Sequence, residues 1–176
     1  MYKKIDAKNQ VLKVLFENPT YRYHIRELAS VSRLNPNTII NVAILLEKEN
    51  LIQIIKKKHV TEIYANLESK EFIRKKRLFN IAQLYDSGLV DFIDSKYFPK
   101  VISVIGSYSS GEDIEKSDID LIVINNTDKK IIDLSQFEKK LSRNIHLILT
   151  DYRNISEEFY ASLINGVILS GFLDKR

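Results

Sequence analysis

The sequence predicts an α+β chain in two parts, a helical front closed by a β-hairpin and a back built on a mixed β-sheet, with a connector helix between them. Three observations predict it. Residues 1–79 carry 16 Lys+Arg against 8 Asp+Glu, a balance of +8, whereas residues 80–176 carry 11 against 15, a balance of −4. In the front half, apolar residues at helical spacing give way to two short β-rich stretches. In the back half, continuous apolar runs of strand length follow, one ending in glycine and one beginning with two acids.

Val11, Leu12, Val14, Leu15 and Phe16 predict a first helix from Lys8 to Glu17, which Asn18-Pro19 ends because proline cannot continue a helix. A short amphipathic helix follows from His24 to Val31, with Ile25, Leu28 and Ala29 inward. Asn35-Pro36 opens a third: asparagine supplies a cap oxygen and proline fits the first helical position. It runs to Glu49, and Asn50 stops it because asparagine tolerates the left-handed conformation. Leu51–Ile55 and Val60–Tyr64 are β-rich, and Lys56-Lys57-Lys58-His59 between them reads as the basic tip of a hairpin.

Three helices and a hairpin make a winged helix-turn-helix, here expected over residues 1–67. Residues His24–Ala29, Asn37-Thr38-Ile39 and Leu46–Ile52 resemble the winged helix-turn-helix domains of the bacterial and archaeal MarR and ArsR type over residues 8 to 67. Such a fold implies DNA, with the third helix in the major groove and the wing on the backbone. Asn37, Thr38 and Asn41 are then the base-reading candidates. Arg22, Arg26, Arg33, Lys56, Lys57 and Lys58 are the phosphate contacts, which supply affinity but no sequence choice. The third helix is also apolar at Ile40, Ile44 and Leu45, which predicts burial of part of it against a second copy or the back half. Residues 68–97 read as the connector, with Gly88 as its interruption and Arg74-Lys75-Lys76-Arg77 as a basic face.

The back half, residues 98–176, carries the chemistry. Val101–Ile105 is a buried strand that enters a tight turn at Gly106-Ser107. Ser117-Asp118-Ile119-Asp120-Leu121 begins a second. Residues two apart on a strand share a face, so Asp118 and Asp120 lie side by side while Ile119 turns into the core. Two carboxylates that close repel unless a cation sits between them, and Mg²⁺ (or Mn²⁺) suits hard oxygen ligands shared with substrate phosphates. A glycine turn with free amides suits those phosphates.

Gly106-Ser107-Tyr108-Ser109-Ser110-Gly111, followed by Ser117–Leu121, resembles the signature of the minimal nucleotidyltransferases in the polymerase-β superfamily, and the likeness extends over residues 98 to 171. The resemblance implies Mg²⁺-dependent transfer of a nucleoside monophosphate from a nucleoside triphosphate. Asp118 and Asp120 would be catalytic metal ligands, and Gly106, Ser107, Gly111 and Ser117 nucleotide contacts. Two departures stand out. His146, in the strand Ile145–Thr150, occupies the position of the family's third carboxylate, and Ser110 stands where an arginine is usual. His146 reads either as a neutral metal ligand or as a satisfied, partly buried histidine. Asp133 is a further candidate, and Asp151 has the wrong strand parity to face the site.

The expectation is a DNA-binding, regulator-like protein whose second domain binds Mg-nucleotide, with reduced or no transferase activity. The alternatives are an active enzyme modifying a partner protein, as antitoxin-type minimal nucleotidyltransferases do to their toxins, and a protein interaction module. Expected partners are DNA, a nucleoside triphosphate, a cognate protein and a second copy of the chain. With no Cys, a disulfide framework and a thiolate zinc site are excluded. No apolar run reaches membrane-spanning length and the start lacks a hydrophobic signal core, so a cytoplasmic location is expected.

Overall fold

The computed structural model describes residues 6–58, 60–124, 132–151, 153 and 155–173; His59 of the predicted hairpin tip lies outside them. The chain divides into two compact units, Met1–Lys76 and Arg77–Arg176.

The first unit runs α1 (Ala7–Glu17), β1 (Tyr23–His24), α2 (Ile25–Val31), α3 (Pro36–Lys48), β2 (Ile52–Lys56) and β3 (Thr61–Ala65). Asp6 caps α1 by accepting from the Lys8 amide. Asn35 caps α3: its Oδ1 accepts from the Thr38 amide at 2.8 Å and from the Thr38 hydroxyl at 3.0 Å, with Pro36 in the first turn. Such a cap is worth about 1 kcal/mol. Asn50 ends the helix in the left-handed region, φ 58°. Beyond the expected hairpin there is a third strand: Tyr23 pairs with Ile63, giving an antiparallel sheet in the order β1-β3-β2 and shortening α2 by one residue. Tyr23 is 5 % exposed, so the pairing buries an aromatic ring. Leu15, Leu28, Ile39, Leu46, Leu51, Ile63 and Phe72 are among the buried apolar residues, and the Phe16 and Phe72 rings pack at a tilt of 55° with centroids 5.1 Å apart.

The predicted connector is two helices. α4 (Lys70–Ser87) crosses the division between the units, and Gly88 (φ 83°) separates it from α5 (Leu89–Tyr97). The second unit continues with β4 (Val101–Ile105), α6 (Gly106–Ser110), β5 (Ile119–Ile124), α7 (Ser135–Leu141), β6 (Ile145–Thr150), α8 (Glu157–Asn165) and β7 (Val167–Gly171). Its sheet is mixed, in the order β6-β5-β4-β7: β4 is antiparallel to both neighbours, and β5 and β6 are parallel. Strand alternation sends Ile119, Leu121 and Val123 into a core with Leu89, Ile93 and Phe137, and sends Ile122 and Ile124 into a second core with Leu163 and Phe159. Helices therefore cover both faces. Gly166 lets the end of α8 lie on β4, since a Cβ there would stand 2.6 Å from the Val104 carbonyl oxygen.

Candidate functional site

β4 delivers its last residue, Ile105, directly opposite Asp120 of β5. The chain then turns at Gly106 (φ 68°), a conformation that disfavours any side chain, and a Cβ there would sit 3.1 Å from the Asp120 Oδ2. A residue without a side chain therefore leaves that oxygen its room at the turn. α6 stops after one turn at Gly111 (φ 84°), whose amide donates to the Ser107 carbonyl at 2.9 Å. Ser109 and Ser110 hydroxyls donate back to the Gly106 and Ser107 carbonyls at 2.8 and 3.1 Å. The Ser117 hydroxyl accepts from the Ile114 amide at 3.0 Å and so shapes the loop that leads into Asp118.

Strand β5 begins at Ile119, two residues later than the sequence reading had it, and Asp118 is the last loop residue before it. Ile119 is fully buried, Asp120 half-buried and Asp118 exposed, as alternation about Ile119 requires. His146 is the register partner of Asp120 on β6, and its Nδ1 lies 3.1 Å from Asp120 Oδ1. The histidine therefore stands beside the second acid, with its side chain 64 % exposed. Two residues earlier, the Asn144 amide group donates to Asp118 Oδ1 at 3.1 Å. Sequence reasoning passed over Asn144, although its parity with His146 was a legible signal.

It passed over a second group as well. Asn80 of α4 donates to the Asp113 carboxylate at 2.6 Å and to the Tyr108 carbonyl at 2.9 Å, and Arg143 approaches Asp113 at 4.0 Å. Asn80 and Asp113 are each 2 % exposed. This buried cluster ties α4, α6, the loop after it and the approach to β6 together. A cavity of about 340 Å³ opens next to it, lined by Ser117, Asp118, Glu138, Lys139 and Asn144 among others.

The remaining acids lie elsewhere. Asp133 accepts from the Ser135 amide at 2.9 Å, and Asp151 is engaged by the Arg153 side chain at 2.9 Å. Among the described residues, no group of three or more His, Cys, Asp and Glu side chains is arranged to hold a metal ion. Asp118 and Asp120 supply hard oxygen donors, the ligand type that Mg²⁺ takes.

In the first unit, Asn37 and Asn41 are exposed, as are Ile40, Ile44 and Leu45 on the same helix. Thr38 is half-buried in the α3 cap. Arg26, Lys56, Lys57 and Lys58 are not buried. Arg22 lies 4.6 Å over the Tyr64 ring and 3.6 Å from Glu62, which also accepts from Lys57 at 2.5 Å.

Mixed-sheet topology, with two acids at the start of the interior strand β5 and a glycine turn at the end of its neighbour β4, defines the second unit as an α+β domain. Residues 87–169 match the family model described as "Nucleotidyltransferase domain", and the C-terminal half is a nucleotidyltransferase-fold domain. A comparison with curated proteins gives no match. No helix among the described residues is long and apolar enough to cross a membrane.

Proposed function

We propose that the nucleotidyltransferase-fold domain binds a nucleoside triphosphate with Mg²⁺ (or Mn²⁺), and that the front half is a winged helix-turn-helix that binds DNA as a dimer. The placing of the Gly106 turn beside Asp120, where an added Cβ would stand 3.1 Å from Oδ2, carries the first part. A polyphosphate lying along Gly106, Ser107 and Gly111, with Ser117 at the far loop, comes within reach of an ion held by Asp118 and Asp120. When bound, the ion supplies orientation of the triphosphate and stabilisation of charge on its oxygens. The chain's own residues do the rest. Backbone amides of the turn face the phosphates, and Ile119, locked in the core, fixes the two acids on one side.

The order helix, strand, helix, helix, strand, strand of the first unit supports the winged-helix reading, with Asn37 and Asn41 available to bases and Arg26, Lys56 and Lys58 to phosphates. His146 in place of a third carboxylate favours binding over efficient transfer, because a histidine leaves the site one negative charge short. Transfer to a partner protein, as an antitoxin-like enzyme would perform, is the rival reading.

Calorimetric titration with nucleoside triphosphate tests the proposal. Binding should require the divalent ion and should fall by at least tenfold in Asp118→Ala and Asp120→Ala. Affinity that ignores both substitutions would remove the site. Incubation with α-labelled triphosphate separates the rivals, since label appearing on a protein acceptor would establish the enzyme.

A further inference from the structure

Helix α6, on which the proposed phosphate seat is built, is a single turn and too short to hold its shape unaided. Its carbonyls find their donors one by one. The Ser109 hydroxyl donates to the Gly106 carbonyl at 2.8 Å, and the Gly111 and Glu112 amides both donate to the Ser107 carbonyl, at 2.9 and 3.0 Å. The next carbonyl along, that of Tyr108, receives a donor from outside the turn: Asn80 of α4 donates to it at 2.9 Å. The Tyr108 side chain belongs to the core that includes Leu84 and Leu89, so this residue is held at its carbonyl as well as at its ring.

The same Asn80 nitrogen donates at 2.6 Å to the carboxylate of Asp113, on the other side of Gly111. A primary amide carries two N–H donors, and here each has one acceptor. Because both partners accept, the nitrogen and not the oxygen of Asn80 must face them. Asn80 is 2 % exposed, which keeps water from competing for either bond. Asp113 is approached in turn by Arg143 at 4.0 Å. One buried amide thus pins the chain on both sides of the glycine that ends α6.

We infer that Asn80 is a positioning residue for the nucleotide: through the Tyr108 carbonyl its amide holds the Gly106–Gly111 turn in the shape that receives the phosphates. The inference rests on the nucleotide-binding reading above and adds to it a residue from another helix. Buried as it is, Asn80 acts on a ligand only through the turn.

Two variants of the full chain separate this role from a merely structural one. In Asp113→Asn the clamp survives, because an amide oxygen still accepts from Asn80, but Arg143 loses the charge beside it. Its thermal midpoint should fall while affinity for nucleoside triphosphate stays unchanged. Adding Asn80→Asp to that variant returns a carboxylate to the cluster and reverses the bond between positions 80 and 113, yet a carboxylate cannot donate to the Tyr108 carbonyl. The midpoint should then rise above that of Asp113→Asn alone while affinity falls about tenfold, the effect of one buried carbonyl left without its donor. Calorimetric titration with Mg²⁺ and each of ATP, GTP, CTP and UTP reads the affinity, with inorganic triphosphate as the probe of the phosphate arm alone. Affinity that tracks the midpoint through both variants, or that is lost already in Asp113→Asn, or that is equal in the two, would overturn the inference and leave nucleotide binding standing. A wild-type protein that binds none of these probes would overturn the nucleotide-binding reading, and the role of Asn80 with it.

Discussion

At the scale of single residues, the end of β6 separates an acid that serves the fold from those that face the proposed site. Asp151 follows the strand directly, close enough in sequence to His146 to invite a metal role, yet its carboxylate accepts from the Arg153 backbone and guanidinium. Those bonds, the side-chain one foremost, push its pKa down from 3.8 to about 2. A carboxyl whose folded pKa lies below its unfolded value stabilises the protein above the unfolded value, and that contribution is lost as pH falls through about 2. Removing the guanidinium with Arg153→Ala should raise the Asp151 midpoint toward 3.8, followed by the carboxyl carbon shift in an NMR titration. A midpoint that stays near 2 would mean that something other than Arg153 holds the charge. His146, by contrast, lies against a carboxylate, that of Asp120. The two side chains thus serve opposite ends of one short strand.

At the scale of elements, what could be read from sequence is what neighbours along the chain decide. The Asn35-Pro36 start of α3, the Asn50 stop and the break at Gly88 are local conformational facts, and all three stand in the structure. That Ile119 turns into the core between the two acids was legible for the same reason, since strand alternation needs no knowledge of the partner strand. Strand β1 was not legible. Its two residues, Tyr23 and His24, are strand only because Ile63 and Glu62 lie beside them. Nor was the cluster of Asn80, Asp113 and Arg143, whose members come from α4, the loop after α6 and the approach to β6. Asp113 sits in an unremarkable polar stretch, and nothing local distinguishes it from the exposed Glu112 next to it. Its weight is physical: breaking a buried ionic contact leaves a charge behind that water cannot reach, at a cost of about 3–5 kcal/mol. Asp113→Ala should therefore lower unfolding stability by about 3 kcal/mol in a urea titration, whereas Glu112→Ala should change it by about 0.5 kcal/mol or less. Equal effects of the two would show that the cluster does not organise this end of the domain.

For the whole molecule, the uneven distribution of charge along the chain sets what each half attracts. A balance of +8 over residues 1–79 is the electrostatic footprint expected of a nucleic-acid surface. The proposed wing does not offer all of that charge freely. Glu62 draws in both Lys57 and Arg22, and its carboxylate is held below the ordinary range by the Lys57 hydrogen bond, against the opposing effect of burial. Two of the cations assigned to phosphate therefore have a resident competitor on β3. Each phosphate contact releases counterions and adds about 0.9 to the slope of log affinity against log salt. Fluorescence anisotropy with labelled duplex DNA across a salt series should then give a steeper slope for Glu62→Gln than for the wild-type protein, by about 0.9 for each cation freed. Replacing Lys56, Lys57 and Lys58 by Glu should flatten it. Because these contacts read no bases, both changes should act alike on unrelated sequences, whereas Asn41→Ala should alter preference among sequences and leave the slope alone. Absence of binding by the wild-type protein at low salt would remove DNA as the partner of the front half. A slope indifferent to Glu62 would mean that Lys57 and Arg22 do not touch the phosphates.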